Sequence, residues 1–355
     1  MNALSDPLLV SAVVGVLSLL TFFCWGSTRA EQPTEEDKQT LDALERVRGE
    51  LKTLREKFGE VAAEHRDEGE EEEEEGLSAA QLSAFERDGF LVLPGFWDKK
   101  TVATLKAACD ALLQSFTLPE GGKSVFCTDE QERTSDEYFL SSGDKIRFFF
   151  EKGALDASGR LVVPKEVAVN KVGHNLHELH PLFRAVSLEC PRVSAICRSL
   201  GFTRCLVPQS MVIFKPPRIG GPVLPHVDGA FLYTKPQSVV GLWWPLEDCT
   251  QANGCLWAVP GSHRGGVARR FKRNASGTGT EFEPAQEAAF CVEGAVPLEI
   301  ERGSLVLLHS SVVHFSNANT SEISRFAYSI HVVEGEAEWP RDNWLQRDTP
   351  FPALF

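Results

Sequence analysis

Hydrophobic and polar positions divide the chain into three regimes. Residues 8–25, LLVSAVVGVLSLLTFFCW, carry no charge. As a helix such a run is about 27 Å long, close to the thickness of a bilayer core. No Lys or Arg precedes it, as one would in a secretory signal, so the pattern predicts a single-pass membrane anchor. The nearby basic residues, Arg29 and Lys38, follow the run, which places the bulk of the chain on the cytoplasmic side. In the second regime Leu44, Val47, Leu51, Leu54, Phe58 and Val61 repeat at 3-4-3-4-3, the seam of a coiled coil. Self-association through 44–61 and a lone amphipathic helix fit that spacing equally well. Residues 67–75 are nearly continuous acid and read as a solvated linker.

From Leu77 the pattern becomes that of a globular protein. Ser78 and Gln81 form a capping-box signature before a helix, 90–93 reads as a short strand, and 99–116 as an amphipathic helix. Helical spacing returns near 178–200. Beyond 205, short apolar runs at 210–215, 239–246, 255–259, 304–309 and 326–333 alternate with Gly220-Gly221, Asn253-Gly254, Pro260-Gly261 and Arg302-Gly303. Asn253-Gly254 between two such runs predicts a hairpin. Helices first and many short strands afterwards give an α+β class built on an antiparallel barrel or jelly roll. The resulting division is 1–30 anchor, 31–76 helical stalk and acidic linker, and 77–355 main domain.

Charge adds one exclusion. The net charge of −14 comes mostly from residues 1–76, with 8 Lys/Arg against 19 Asp/Glu. The remainder is nearly balanced, so neither part has the basic face of a nucleic-acid binder. The nine cysteines include no close pair and sit mostly in apolar contexts, which reads as reduced thiols.

Nucleotide-binding, nucleophile-elbow and zincin motifs are absent. What appears instead is His226-Val227-Asp228. On an extended segment residues two apart share a face, so an imidazole and a carboxylate can bind one metal ion. A second such triplet, His65-Arg66-Asp67, lies in the stalk and has no apolar shell to shape a site. A facial triad for non-haem Fe(II) needs another His from a distant strand. His263, His309, His314 and His331 are the candidates downstream. His314 follows the strand-like stretch 305–313, and Arg325 lies eleven residues on, placed to pair bidentately with a dicarboxylic cosubstrate. His331 is followed by Arg341, which sits in a Trp/Pro/Asp loop and reads as surface. His309 has no such partner, and Pro260-Gly261-Ser262 bends the chain before His263, which reads as structural.

The order HxD, Pro260-Gly261-Ser262-His263, then a distal His with Arg eleven residues later, resembles the phytanoyl-CoA dioxygenase family. The strings YFLSSGDKIRFFFE at 138–151, NKVGH at 170–174, NWLQ at 343–346 and PFP at 350–352 narrow the resemblance within that family. It covers about 77–355 and leaves 1–76 unexplained. It implies a double-stranded β-helix (cupin-like) core holding Fe(II) on His226, Asp228 and His314. It also implies 2-oxoglutarate among Lys171, Met211, Trp243, Ser316 and Arg325, beside His226 and His314. The reaction implied is oxidative decarboxylation of 2-oxoglutarate with O2 to succinate and CO2, coupled to hydroxylation of a small molecule. A membrane anchor favours a lipid or acyl-type substrate. Without the resemblance, Met211 and Trp243 read as core. The segment 144–150 reads as a charged turn entering a buried strand, in preference to a substrate-access wall. Two other readings stand beside the oxygenase: a catalytically silent, membrane-tethered jelly roll, and a cupin-type metal enzyme that uses no 2-oxoglutarate.

Overall fold

A computed structural model describes residues 76–116, 137–156, 159–285 and 289–355. The expected anchor at 8–25, seam at 44–61 and acidic linker at 67–75 lie outside them. Among the described residues no helix is long and apolar enough to cross a membrane. Every strand among the described residues belongs to one compact unit.

Helix α1 (Ala79–Asp88) starts with the expected capping box. Ser78 Oγ accepts from the Gln81 amide, and Gln81 Oε1 accepts from the Ser78 amide at 2.8 Å. Gly89 in the left-handed region ends it and turns the chain into β1 (Phe90–Leu93). Helix α2 spans Lys99–Ser115 and α3 spans Pro191–Ser199, with single helical turns at Glu137–Leu140, Lys165–Ala168, Leu176–Leu179 and Pro181–Ala185.

The remaining strands are β2 (Ile146–Phe150), β3 (Val169–His174), β4 (Cys205–Ile213), β5 (Val223–His226), β6 (Val240–Pro245) and β7 (Leu256–Ala258). They continue with β8 (Arg270–Arg273), β9 (Thr280–Glu283), β10 (Val296–Leu298), β11 (Leu305–His309), β12 (His314–Ser316) and β13 (Ala327–Glu334). A seven-stranded sheet runs β1-β11-β6-β13-β4-β3-β2, a four-stranded sheet runs β10-β7-β12-β5, and β8-β9 form a ribbon. All pairings are antiparallel. From β4 to β7, and again from β10 to β13, the chain alternates between the two larger sheets, as in a jelly roll. Central strands are covered on both faces, which explains why β6 reads as the unbroken run VGLWWP with every residue buried. Trp243, Leu256, Ala258, Leu298, Val306, Leu308 and Ala327, from strands of both sheets, form one core cluster. On the other side of the large sheet Trp244 stacks with Trp97 and Tyr328.

Two expectations are corrected. Asn253-Gly254 does not close a hairpin, because β6 and β7 belong to different sheets. The dipeptide lies in the crossing loop, where Asn253 Oδ1 accepts from the Thr250 amide and its Nδ2 donates to the Asp248 carbonyl, both at 2.8 Å. A side chain at Gly254 would stand 2.6 Å from Lys215 Cε and 2.7 Å from the Asn317 carbonyl, at φ +80°. The glycine therefore serves close packing as well as the turn. Nor is 305–313 a single strand. It breaks after His309, where Val312 N donates back to the His309 carbonyl, and His314 opens β12 in the other sheet. The segment 144–150 is a turn entering β2, whose last two residues are buried.

Candidate functional site

Strand β5 ends at His226, and Asp228 begins a short 3-10 turn directly after it. Val227 between them is extended (φ −125°, ψ 135°), so the two side chains leave on one face. The turn is pinned by Gly229 N donating to the Ser310 carbonyl at 2.7 Å. Strand β12 pairs with β5 so that His314 lies opposite His226. One ligand atom from each of His226, Asp228 and His314 lies within 4.8 Å of the others, a spacing that fits one metal ion. Asp228 Oδ1 is 3.7 Å from His226 Nε2 and 3.6 Å from His314 Nε2.

The imidazoles are oriented from behind. His226 Nδ1 faces the Leu224 carbonyl at 2.9 Å and His314 Nδ1 faces the Val312 carbonyl at 3.0 Å. A carbonyl only accepts, so both Nδ1 atoms carry hydrogen and both Nε2 lone pairs point to the centre. The second carboxylate oxygen has a partner, His331, that sequence reasoning weighed only as a third metal ligand. His331 Nε2 stands 3.2 Å from Asp228 Oδ2, while Gln209 Nε2 donates to His331 Nδ1 at 3.2 Å. That arrangement leaves the His331 Nε2–H to donate to Asp228. Burial by itself raises the Asp228 carboxyl, but the His314 and His331 imidazoles outweigh it and hold the group well below the usual carboxylate range.

The other expected residues form a second group. On neighbouring strands Ser329 pairs with both Met211 and Trp243, and Gly173 pairs with Met211. Lys171, two residues before Gly173, brings its Nζ to 4.0 Å from Met211 Sδ. Ser316 lies two residues after His314 on β12 and is buried. Arg325, just before β13, is 1% exposed. Its Nε donates to the Gly254 carbonyl at 3.1 Å, its guanidinium carbon lies 5.1 Å from the Trp243 ring centroid, and its Nη1 has no partner. A buried guanidinium with an unmet donor above an aromatic wall suits a carboxylate.

Sequence reasoning also missed Lys215 and Glu151. Lys215 Nζ donates to Ser316 Oγ and to the Gly221 carbonyl, both at 2.8 Å. Burial, then the Arg325 charge, lowers its ammonium to about 6. Glu151 is buried beside the Gly221 amide, and burial raises its carboxyl against the opposing pull of that N–H, Asn170, Lys215 and Lys171. Lys215 stands in no motif, and Glu151 closes the string at 138–151 without having been given a role there. His263 is turned away, its Nε2 on the Glu86 carbonyl, and Arg341 is exposed.

The phytanoyl-CoA dioxygenase (PhyH) family model matches residues 85–327. The chain belongs to the phytanoyl-CoA dioxygenase family. Among relatives of this family member, phytanoyl-CoA dioxygenase domain-containing protein 1 of Bos taurus is 46% identical over 292 residues, covering 79% of this chain and 99% of the bovine protein. Phytanoyl-CoA dioxygenase of Arabidopsis thaliana is 44% identical over 273 residues, covering 76% and 94%. Two solved structures share the fold at 19% identity. The non-heme alpha ketoglutarate dependent carbocyclase SnoK from nogalamycin biosynthesis has a TM-score of 0.53 over 81% of this chain and all of its own. EctD from S. alaskensis, solved with 2-oxoglutarate and 5-hydroxyectoine, has a TM-score of 0.52 over 81% and 89%.

Proposed function

We propose that this family member is an Fe(II)- and 2-oxoglutarate-dependent dioxygenase acting on a small molecule. The observation that carries the reading is the pairing of a two-histidine, one-carboxylate centre with the buried, incompletely paired Arg325. His226, Asp228 and His314 would hold the iron and leave its other positions open. Arg325 and Ser316 would seat the far carboxylate of 2-oxoglutarate, with Trp243 and Met211 as walls and Lys171 as a further cation. Bound iron and cosubstrate supply, with O2, oxidative decarboxylation to succinate and CO2 coupled to hydroxylation.

The chain's own part is geometric. The Leu224 and Val312 carbonyls fix both imidazoles, and His331 fixes the carboxylate. The buried walls exclude water from the reacting face. A lipid or acyl-type substrate is favoured by the uncharged run at 8–25, which we retain as a single-pass anchor with the main domain in the cytoplasm.

The test is succinate release by the full-length protein, loaded anaerobically with Fe(II) and given 2-oxoglutarate and O2. Release should vanish in His226→Ala and in Arg325→Ala. Undiminished turnover of Arg325→Ala would instead favour a metal enzyme that uses no 2-oxoglutarate. Failure to bind either metal or cosubstrate would leave the silent jelly roll. Deletion of residues 1–30 should release the protein from the membrane fraction, and persistence there would refute the anchor.

A further inference from the structure

Ser316 and Arg325 do not make up the whole of the buried polar cluster. Lys215 lies just beyond β4 with 1% exposure. Its backbone takes φ 41°, a left-handed conformation that a side-chain-bearing residue adopts only at a cost. Its carbonyl is held by Asn319 Nδ2 at 2.9 Å and by the Arg325 amide at 3.3 Å. Gly254, lacking a side chain, leaves room for Lys215 Cε. The stem thus delivers an ammonium group into the interior, where no carboxylate of the described residues comes within ion-pair distance of it. Two buried basic groups, Lys215 and Arg325, stand here with Glu151, whose own burial favours its neutral form, and burial with the Arg325 charge lowers the Lys215 ammonium to about 6 while no anion is bound. An entering anion offsets the cost of burying the charged ammonium and so favours it.

The hydrogen-bond directions say how the ammonium acts. In the ammonium form, which a bound anion favours, Nζ has only donors, so Ser316 Oγ accepts from it. The serine's own O–H is then left to act as a donor, and Arg325 Nη1 is likewise without a partner. We propose that Lys215 is a positioning residue that sets the Ser316 hydroxyl as a donor and adds a second positive charge behind it, so that the pocket selects 2-keto acids with a distal carboxylate. This deepens the reading of Ser316 and Arg325 as the seat of 2-oxoglutarate and rests on it. The ammonium need not touch the ligand, since its effect passes through one hydroxyl and a short distance in a medium of low dielectric.

The test compares 2-oxoglutarate with 2-oxopentanoate, which keeps the keto acid end and lacks the distal carboxylate. Binding is measured by titration calorimetry on full-length, Mn(II)-loaded protein without O2, so that turnover plays no part. Wild type should prefer 2-oxoglutarate. Lys215→Met should weaken 2-oxoglutarate at least tenfold while 2-oxopentanoate changes less than twofold, and Mn(II) affinity should stay unchanged. In a Ser316→Ala background the same substitution should cost markedly less, because part of its effect runs through the hydroxyl. Lys215→Gln, which keeps a donor, should fall between wild type and Lys215→Met and serves as the readout if the methionine variant does not fold. An affinity for 2-oxoglutarate within twofold of wild type in folded variants, or equal weakening of both keto acids, overturns the role of Lys215 alone. Wild-type protein that binds neither keto acid, or binds both alike, overturns the underlying reading and this inference with it.

Discussion

Gly241→Ala should weaken metal binding although Gly241 is no ligand. Gly241 lies on β6 opposite Leu308 and His331, with its α-carbon facing the Asp228 carboxylate. A methyl there would stand 3.0 Å from Asp228 Oδ2, inside the 3.4–4 Å of ordinary contact. It cannot slide sideways, because Leu308 Cβ at 3.5 Å and His331 Cδ2 at 3.6 Å flank it. The carboxylate therefore has to give by a few tenths of an ångström. The oxygen that moves is the one His331 holds at 3.2 Å, so relief of the clash strains that bond and turns Oδ1 away from the two imidazoles. Overpacking of this kind costs about 1–3 kcal/mol. If the cost falls on the metal-bound geometry, affinity drops by about 5- to 150-fold. Titration calorimetry with Mn(II) on the full-length protein measures it, beside Gly265→Ala, where a new methyl meets nothing within 4 Å. The reasoning fails if Gly241→Ala binds Mn(II) within twofold of wild type while the metal-free protein melts lower. The strain would then reside in β6 and spare the carboxylate.

Three further outcomes follow from neighbouring contacts. His331→Phe removes the donor to Asp228 Oδ2 and should lower Mn(II) affinity about 10- to 100-fold, with partial recovery in His331→Gln; equal affinity in the two variants would argue against a hydrogen-bonding role. Tyr328→Phe leaves Ser187 Oγ without its 2.8 Å partner in the interior and should destabilise the fold by about 1–3 kcal/mol in urea unfolding, whereas an unchanged midpoint would mean the serine finds another partner. Burial lowers His177 to about 3 and His180 to about 4, so the unfolded chain takes up protons below about 6.5 while the folded chain does not. Their contribution is present above that pH and is lost as pH falls toward 4, by up to about 1.4 kcal/mol per unit for each group; His177→Gln should flatten that slope between pH 6.5 and 4.5, and a parallel pH profile would remove His177 as its source.

What the sequence disclosed and what it withheld divide along a physical line. Local rules found local things: the Ser78–Gln81 box, the all-buried run of β6, and the shared face of His226 and Asp228 across one extended residue. His314 and Arg325 were reached because spacing along one stretch of chain ties them together. The ribbon β8–β9 escaped because its strands are mostly polar, with Lys272 reaching Glu283 across them, and polar alternation carries no burial signal. Asn253-Gly254 misled for the opposite reason. Its turn chemistry is real, but whether the flanking strands pair depends on which sheet each joins, and here they join different ones. Lys215, Glu151, His331 and Gln209 answer to no local rule, since each acts on a partner fixed only by the closing of two sheets. A hydrophobic pattern encodes which face of a strand is buried. It does not encode which of the buried polar residues on that face will meet. The residues that orient Asp228 and Ser316 therefore become visible only once strand register is known, whereas the ligands themselves could be read from spacing.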